Sequence, residues 1–150
     1  MNFHVGERIL LTLWVGGMWT VGYIVAPTLF QMLDDRMLAG KLAGQLFTVI
    51  SYIGLLCGGV LLAGQLYQAR EKGLRHWRVW LLLLMLLIVV VGEFYLQPLM
   101  AELKAKGLQA DAAVAREFGK LHGVASVLFL INSLAGLALV AFGLHRRQTG

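Results

Sequence analysis

Four stretches of this chain are long and apolar enough to cross a membrane: Ile9 to Phe30, Leu46 to Tyr67, Val79 to about Gln97, and Leu121 to Leu144. The third contains Trp80 to Gly92 without a polar interruption. A membrane helix needs about 20 mostly apolar residues. Backbone groups in lipid must pair within the protein, so helices are the expected solution. The alternating strands of about ten residues that build an outer-membrane barrel are absent. The expected fold is therefore all-α: one transmembrane domain over residues 1–150, folded as an up-down-up-down four-helix bundle. Composition agrees. The chain is 59% hydrophobic and 14% charged, against about 45–50% and about 25% in soluble domains. Its mean hydropathy is +0.74. These values exclude a disordered chain, a coiled coil and an ordinary soluble enzyme. Cys57 is the only cysteine, which excludes an intrachain disulfide and a cysteine-cluster zinc site.

The net charge of +5 would suit nucleic acid, but the basic residues lie between the apolar runs. They set membrane orientation instead, and no nucleic-acid partner is expected. One side carries Arg8, Arg70, Lys72, Arg75, Arg78, Arg146 and Arg147; the other carries Arg36, Lys41, Lys104, Lys106, Arg116 and Lys120. The totals barely differ. Density separates them, because the 68–78 loop is short and Glu71 is its only acid. Both termini are expected in the cytoplasm, with Trp77 and Trp80 in the interfacial belt of that face. Arg8 and Ile9 to Val15 imitate a signal peptide. The apolar run continues to Phe30 without a small-residue cleavage site, so it reads as a retained anchor.

The two outer loops carry structure of their own. Met37, Leu38, Leu42 and Leu46 follow helical spacing, which predicts a short amphipathic helix at the interface. Asp111 is placed to cap a helix from Ala112 through Lys120 into the fourth span, with Gly107 as the break before it. A shift of 71 residues superimposes Pro27 on Pro98, Phe47 on Phe118 and Ser51 on His122. The halves read either as parallel repeated hairpins or as the ordinary likeness of two hairpins in one bundle.

Ionisable groups at membrane depth are costly, so each is a functional candidate. Glu93 is the clearest, and Gln97 follows it on the same helix face. His122 opens the fourth span, Ser126 and Ser133 continue its stripe, and Asn132 is near. Ser51 and Tyr52 lie at the same level of the second span. Glu93, Gln97, His122, Ser126, Asn132, Ser51 and Tyr52 thus form a candidate polar cluster in the outer half of the bundle. A carboxylate beside an imidazole can carry a proton or hold a cation. The plain alternative is that Glu93 and His122 satisfy one another or reach interfacial water. No metal is expected, and His122 is the only candidate ligand at membrane depth; His76 and His145 lie towards the other face and His4 in the N-terminal segment. Gly54 with Gly58, and Gly22 with Ala26, are small-residue pairs that allow close helix contact, within the chain or in a dimer. Pro27 and Pro98 are read as helix-end prolines rather than kinks. Trp14, Trp19 and Tyr23 form an aromatic stripe of the packing kind. No nucleophile elbow, phosphate loop, dinucleotide fingerprint or HExxH motif occurs.

Two elements carry a resemblance. Gly17-Met18-Trp19 leads into Val25-Ala26-Pro27-Thr28-Leu29-Phe30, and Phe118-Gly119-Lys120-Leu121-His122-Gly123-Val124-Ala125-Ser126 precedes Asn132. Together they resemble the bacterial domain-of-unknown-function family 4149, itself similar to the eukaryotic transmembrane-protein-205 proteins. The resemblance implies a four-span protein of a bacterial inner membrane and brings no assigned activity. A weaker likeness joins Trp14 to Phe30 to the copper-resistance-D and protoporphyrinogen-oxidase-J bundles. Those carry a histidine about two turns before the tryptophan, where this chain has Gly6-Glu7-Arg8.

The leading expectation is a non-enzymatic integral membrane protein: a transport-like, stress-related or assembly component without a cofactor. The alternatives are a haem- or copper-associated redox protein using His122, and a scaffold for another membrane protein through the Gly54/Gly58 face. Expected partners are the lipid bilayer and either a second copy or another membrane protein.

Overall fold

The computed structural model describes residues 3–69, 77–108 and 111–142. These form four helical rods. Rod α1 runs as α-helix over Phe3–Trp19, passes through a π-helical segment at Thr20–Val25 and ends as α-helix Ala26–Met32. Rod α2 is Arg36–Ala69. Rod α3 repeats the pattern of the first: Trp77–Val91, a π-helical segment at Gly92–Leu96, then Gln97–Lys106. Rod α4 is Ala112–Phe142. Contacts run α1–α2, α2–α3, α3–α4 and α4–α1, which closes the all-α bundle into a ring. All four rods are long and apolar enough to span a bilayer. The protein is a multi-pass integral membrane protein.

Rods α2 and α4 contain 34 and 31 residues. At about 1.5 Å per residue each exceeds the roughly 30 Å hydrocarbon core. They therefore extend beyond the apolar spans, and this corrects two readings of the sequence. No separate interfacial helix exists over Met37 to Leu46, because those residues are the first turns of α2. Asp35 starts the rod: its Oδ1 accepts from the amides of Met37 at 2.8 Å and Leu38 at 3.1 Å. Ala39 and Ala43 then bury a small-residue face, so the stretch packs instead of lying flat on lipid. Pro27 and Pro98 also do not end their rods. Each sits in the first turn of an α-helical segment that continues to Met32 or Lys106. At α4 the expected cap forms, with Asp111 Oδ1 accepting from Ala113 N at 2.7 Å. Gly107, at φ 89°, ends α3 in a conformation that favours glycine. Gly143 and Leu144, the end of the expected fourth span, and the C-terminal tail lie outside the described residues.

The core is narrow. Leu11, Trp14, Val15 and Met18 from α1 meet Ile50, Cys57 and Leu61 from α2, Leu82, Met85 and Val89 from α3, and Ala135 and Leu139 from α4. Only 28–33% of each apolar window is buried in the bundle. The rest, including Leu13, Leu56, Leu87, Val127 and Leu134, faces outward. In water this surface would be an aggregation site; in hydrocarbon it is already solvated.

Shape complementarity centres on Trp14, which is 1% exposed. Its indole fills the notch left by Gly54 and Gly58, where added Cβ atoms would strike the ring. Gly136 likewise makes room for Val15, Met18 and Met85. Trp14→Ala is expected to cost about 3–5 kcal/mol, read as a large fall in the thermal unfolding midpoint in detergent. Gly58→Leu is expected to lower the midpoint comparably, whereas Leu56→Ala, at a lipid-facing position, should leave it nearly unchanged.

Candidate polar sites within the bundle

The two π-helical segments share one cause. In α1 the Ala26 amide donates to Val21 O, one residue further back than an α-helix would choose. In α3 the Gln97 amide donates to Gly92 O in the same way. The next donor in each register would be Pro27 or Pro98, and proline has no N–H. The carbonyls of Gly22 and Glu93 are therefore left without a donor in the helical ladder. Threonine hydroxyls close on the neighbouring turns of α1: Thr20 donates to Gly16 O at 2.8 Å and Thr28 to Ile24 O at 2.7 Å. Adding 71 to Thr20–Val25 gives 91–96, which overlaps Gly92–Leu96. The breaks thus sit at matching places in α1 and α3, which do not neighbour one another in the ring.

The structure divides the expected cluster among three places. Glu93 is half-buried within the α3 break, and half-buried Gln97 opens the segment after it. Beside them Tyr52 of α2 meets Phe94 edge-on, with centroids 6.4 Å apart. Ser51 is half-buried on the preceding position of α2. His122 is exposed on α4 and stacks on Phe118 at 5.9 Å, with 10° between the rings. Exposed Ser126 donates back to the His122 carbonyl at 2.8 Å. No hydrogen bond or ion pair joins Glu93 to His122 among the described residues. The turn of α4 that carries His122 leaves its side chain exposed.

Asn132 lies deeper and is 3% exposed. Its Nδ2 donates to Met18 Sδ at 3.5 Å, and its Oδ1 is enclosed without a hydrogen-bond partner. Its neighbour Ser133 is fully buried; the hydroxyl donates to Phe129 O at 2.8 Å, and the carbonyl accepts from Trp19 Nε1 at 3.3 Å. Above this layer Trp19, Tyr23, Phe129 and Phe47 form a continuous chain of ring contacts across α1, α4 and α2, with centroids 4.9, 5.7 and 5.3 Å apart. Gly22 opens the space that Phe129 occupies, and Ala26 is buried beside the break. The small residues Gly54 and Gly58 face Trp14 of the same chain, so the surface assigned to a scaffold partner is filled from within.

Two buried polar groups escaped the sequence reading. Glu7 is 5% exposed and Gln65 is 7% exposed, and neither is without a partner. The signal for Glu7 was present: it stands four and seven residues before the buried Leu11 and Trp14, on the same helical face. Gln65 follows buried Leu61 by one turn. Arg78 stands one turn before buried Leu82, so all three belong to the layer that closes the core towards the termini. Among the described residues no three His, Cys, Asp or Glu side chains converge on a common point. His76 and His145 lie outside the described residues, as does the side chain of His4.

A family model described as a domain of unknown function (DUF4149) matches residues 9–109. No curated protein and no solved structure matches the chain.

The unpaired Oδ1 makes a prediction of unusual sign. Removing a buried polar group that lacks a partner relieves its desolvation cost. Asn132→Leu is therefore expected to hold or raise the thermal midpoint in detergent, whereas Asn132→Asp, which buries a charge at the same place, should lower it sharply.

Proposed function

The chain belongs to the DUF4149 family, and from that premise we propose that it is a non-enzymatic, transport-like component of a bacterial inner membrane. Both termini face the cytoplasm, and Glu93 carries a proton through the outer half of the bundle. The observation that supports this reading is the pairing of π-helical breaks with Pro27 and Pro98 at matching places in α1 and α3. One of the two breaks holds an acid. π-Helical turns interrupt the regular ladder and recur at functional sites. Discontinuous helices with open carbonyls at membrane depth are a recurrent feature of transport paths. An acid at such a place is costly to keep without a role.

Each element has one task in this scheme. The breaks are the flexible joints of α1 and α3, because fewer ladder bonds oppose bending there. Tyr52 and Phe94 flank the acid with apolar surface. Trp14 in its glycine notch keeps the inner half rigid, so that motion is confined to the outer half. The orientation rests on the density of Arg70, Lys72, Arg75 and Arg78 in one short loop.

The test uses the full chain in lipid vesicles that enclose a pH-sensitive dye, with a potassium diffusion potential imposed. Vesicles with protein are expected to acidify faster than empty ones. Glu93→Gln should return the rate to that of empty vesicles while the protein still inserts. Replacing both Pro27 and Pro98 by alanine should slow the rate without abolishing it. A wild-type rate equal to that of empty vesicles, or an unchanged rate in Glu93→Gln, overturns the reading.

A further inference from the structure

The formal charge is divided unevenly between the two ends of the bundle. The end that holds the termini and the 68–78 loop carries seven basic residues, Arg8, Arg70, Lys72, Arg75, Arg78, Arg146 and Arg147, against two acids, Glu7 and Glu71. The other end carries six basic residues against five acids, Asp34, Asp35, Glu102, Asp111 and Glu117, and Glu93 lies within the α3 break. Counted along the sequence, the excess of positive charge is therefore concentrated at the end that holds the termini. By sequence, basic side chains at that end outnumber acidic ones seven to two.

Arg78 is the described cation set deepest into this end. It is half-buried in the first turn of α3, and its guanidinium carbon lies 5.6 Å from the centre of the Trp77 ring. Its Nε is enclosed and has no hydrogen-bond partner. Trp77 in turn meets Phe142 of α4 edge-on, with centroids 6.2 Å apart. The indole thus bridges the start of one rod and the end of the next, and it holds the arginine stem against the bundle. Trp77 and Trp80 remain 53% and 61% exposed. Aromatic rings in such positions lie at headgroup depth. An arginine held at that depth against an indole ring matches a phosphate diester whose acyl chains continue along the rods.

We propose that this end of the bundle, centred on Arg78 and Trp77 between α3 and α4, binds the headgroup of an anionic phospholipid. The Arg78 guanidinium supplies selectivity over zwitterionic lipid, whose own headgroup cation it repels, and basic residues at a membrane surface favour an anionic leaflet. The aromatic bridge supplies the place. Exposed Arg8 adds charge at the start of α1. The remaining five basic residues of this end contribute to the count through the sequence alone.

The experiment is native mass spectrometry of the full chain in detergent, with added phosphatidylglycerol or phosphatidylcholine of identical acyl chains. The anionic lipid is expected to remain bound at voltages that strip the zwitterionic one. Arg78→Gln should lose most of that preference, Arg78→Lys should keep part of it, and Lys120→Gln at the opposite end should leave it unchanged. Thermal midpoints of the lipid-free variants show that each is folded. Phosphatidylglycerol is expected to stay bound in the presence of excess inorganic phosphate; displacement would reassign the site to soluble phosphate and overturn the lipid assignment. Equal retention of the two lipids, or full preference in Arg78→Gln, also overturns the proposal.

Discussion

Inside hydrocarbon a main-chain N–H or C=O can bond only to another protein group, and each unpaired one costs several kcal/mol. The architecture follows from that requirement. Four continuous rods pair almost every backbone group within themselves. Proline is the one residue that breaks the arrangement from within, because it removes a donor and crowds the preceding turn. At Pro27 and Pro98 the helix does not stop. It shifts its register, so that Ala26 donates to Val21 and Gln97 to Gly92. The break is confined to a few residues, and the rod resumes.

Between rods, shape decides, because lipid tails are as apolar as the side chains they replace. A large ring fills a space made by small residues. Trp14 against Gly54 and Gly58, and Phe129 against Gly22, are the two clear cases. The first lies within the tight inner core. The second lies beside the α1 break, where the aromatic chain from Trp19 to Phe47 replaces aliphatic packing. Asn132 stands between them with one unpaired oxygen. The half of the bundle nearer the termini is therefore closely fitted around Trp14 and closed by Glu7, Gln65 and Arg78, while the other half holds the register shifts, the rings and Glu93.

Much of this was legible in the sequence. The spans, the cap at Asp111 and the break at Gly107 follow from hydropathy and local turn chemistry, and the structure has them. The likeness of residues 17–30 to the family falls within the match over residues 9–109, and the element at 118–132 lies beyond that match. The prolines were visible but their effect was not. A proline at the end of an apolar run signals helix termination equally well, and only the turns beyond it distinguish a stop from a shift. The interfacial helix before the second span failed for a related reason. An amphipathic face reads the same whether it meets lipid headgroups or a neighbouring rod.

The candidate cluster shows where one-dimensional reasoning ends. Glu93 and His122 were expected at one level, because level can be computed from residue counts along a rod. Azimuth cannot, because it depends on how each rod is rotated about its axis by contacts with its neighbours. Those contacts turn His122 outward onto Phe118 and Asn132 inward onto Met18, and they bury Glu7 on the Trp14 face. The amino-acid order alone determined that the chain crosses a bilayer four times, with an unbalanced charge at one end, since burial in lipid depends on composition along the chain. Which polar groups meet, and where the helices change register, was decided by the packed bundle, because side-chain fit between rods sets their rotation.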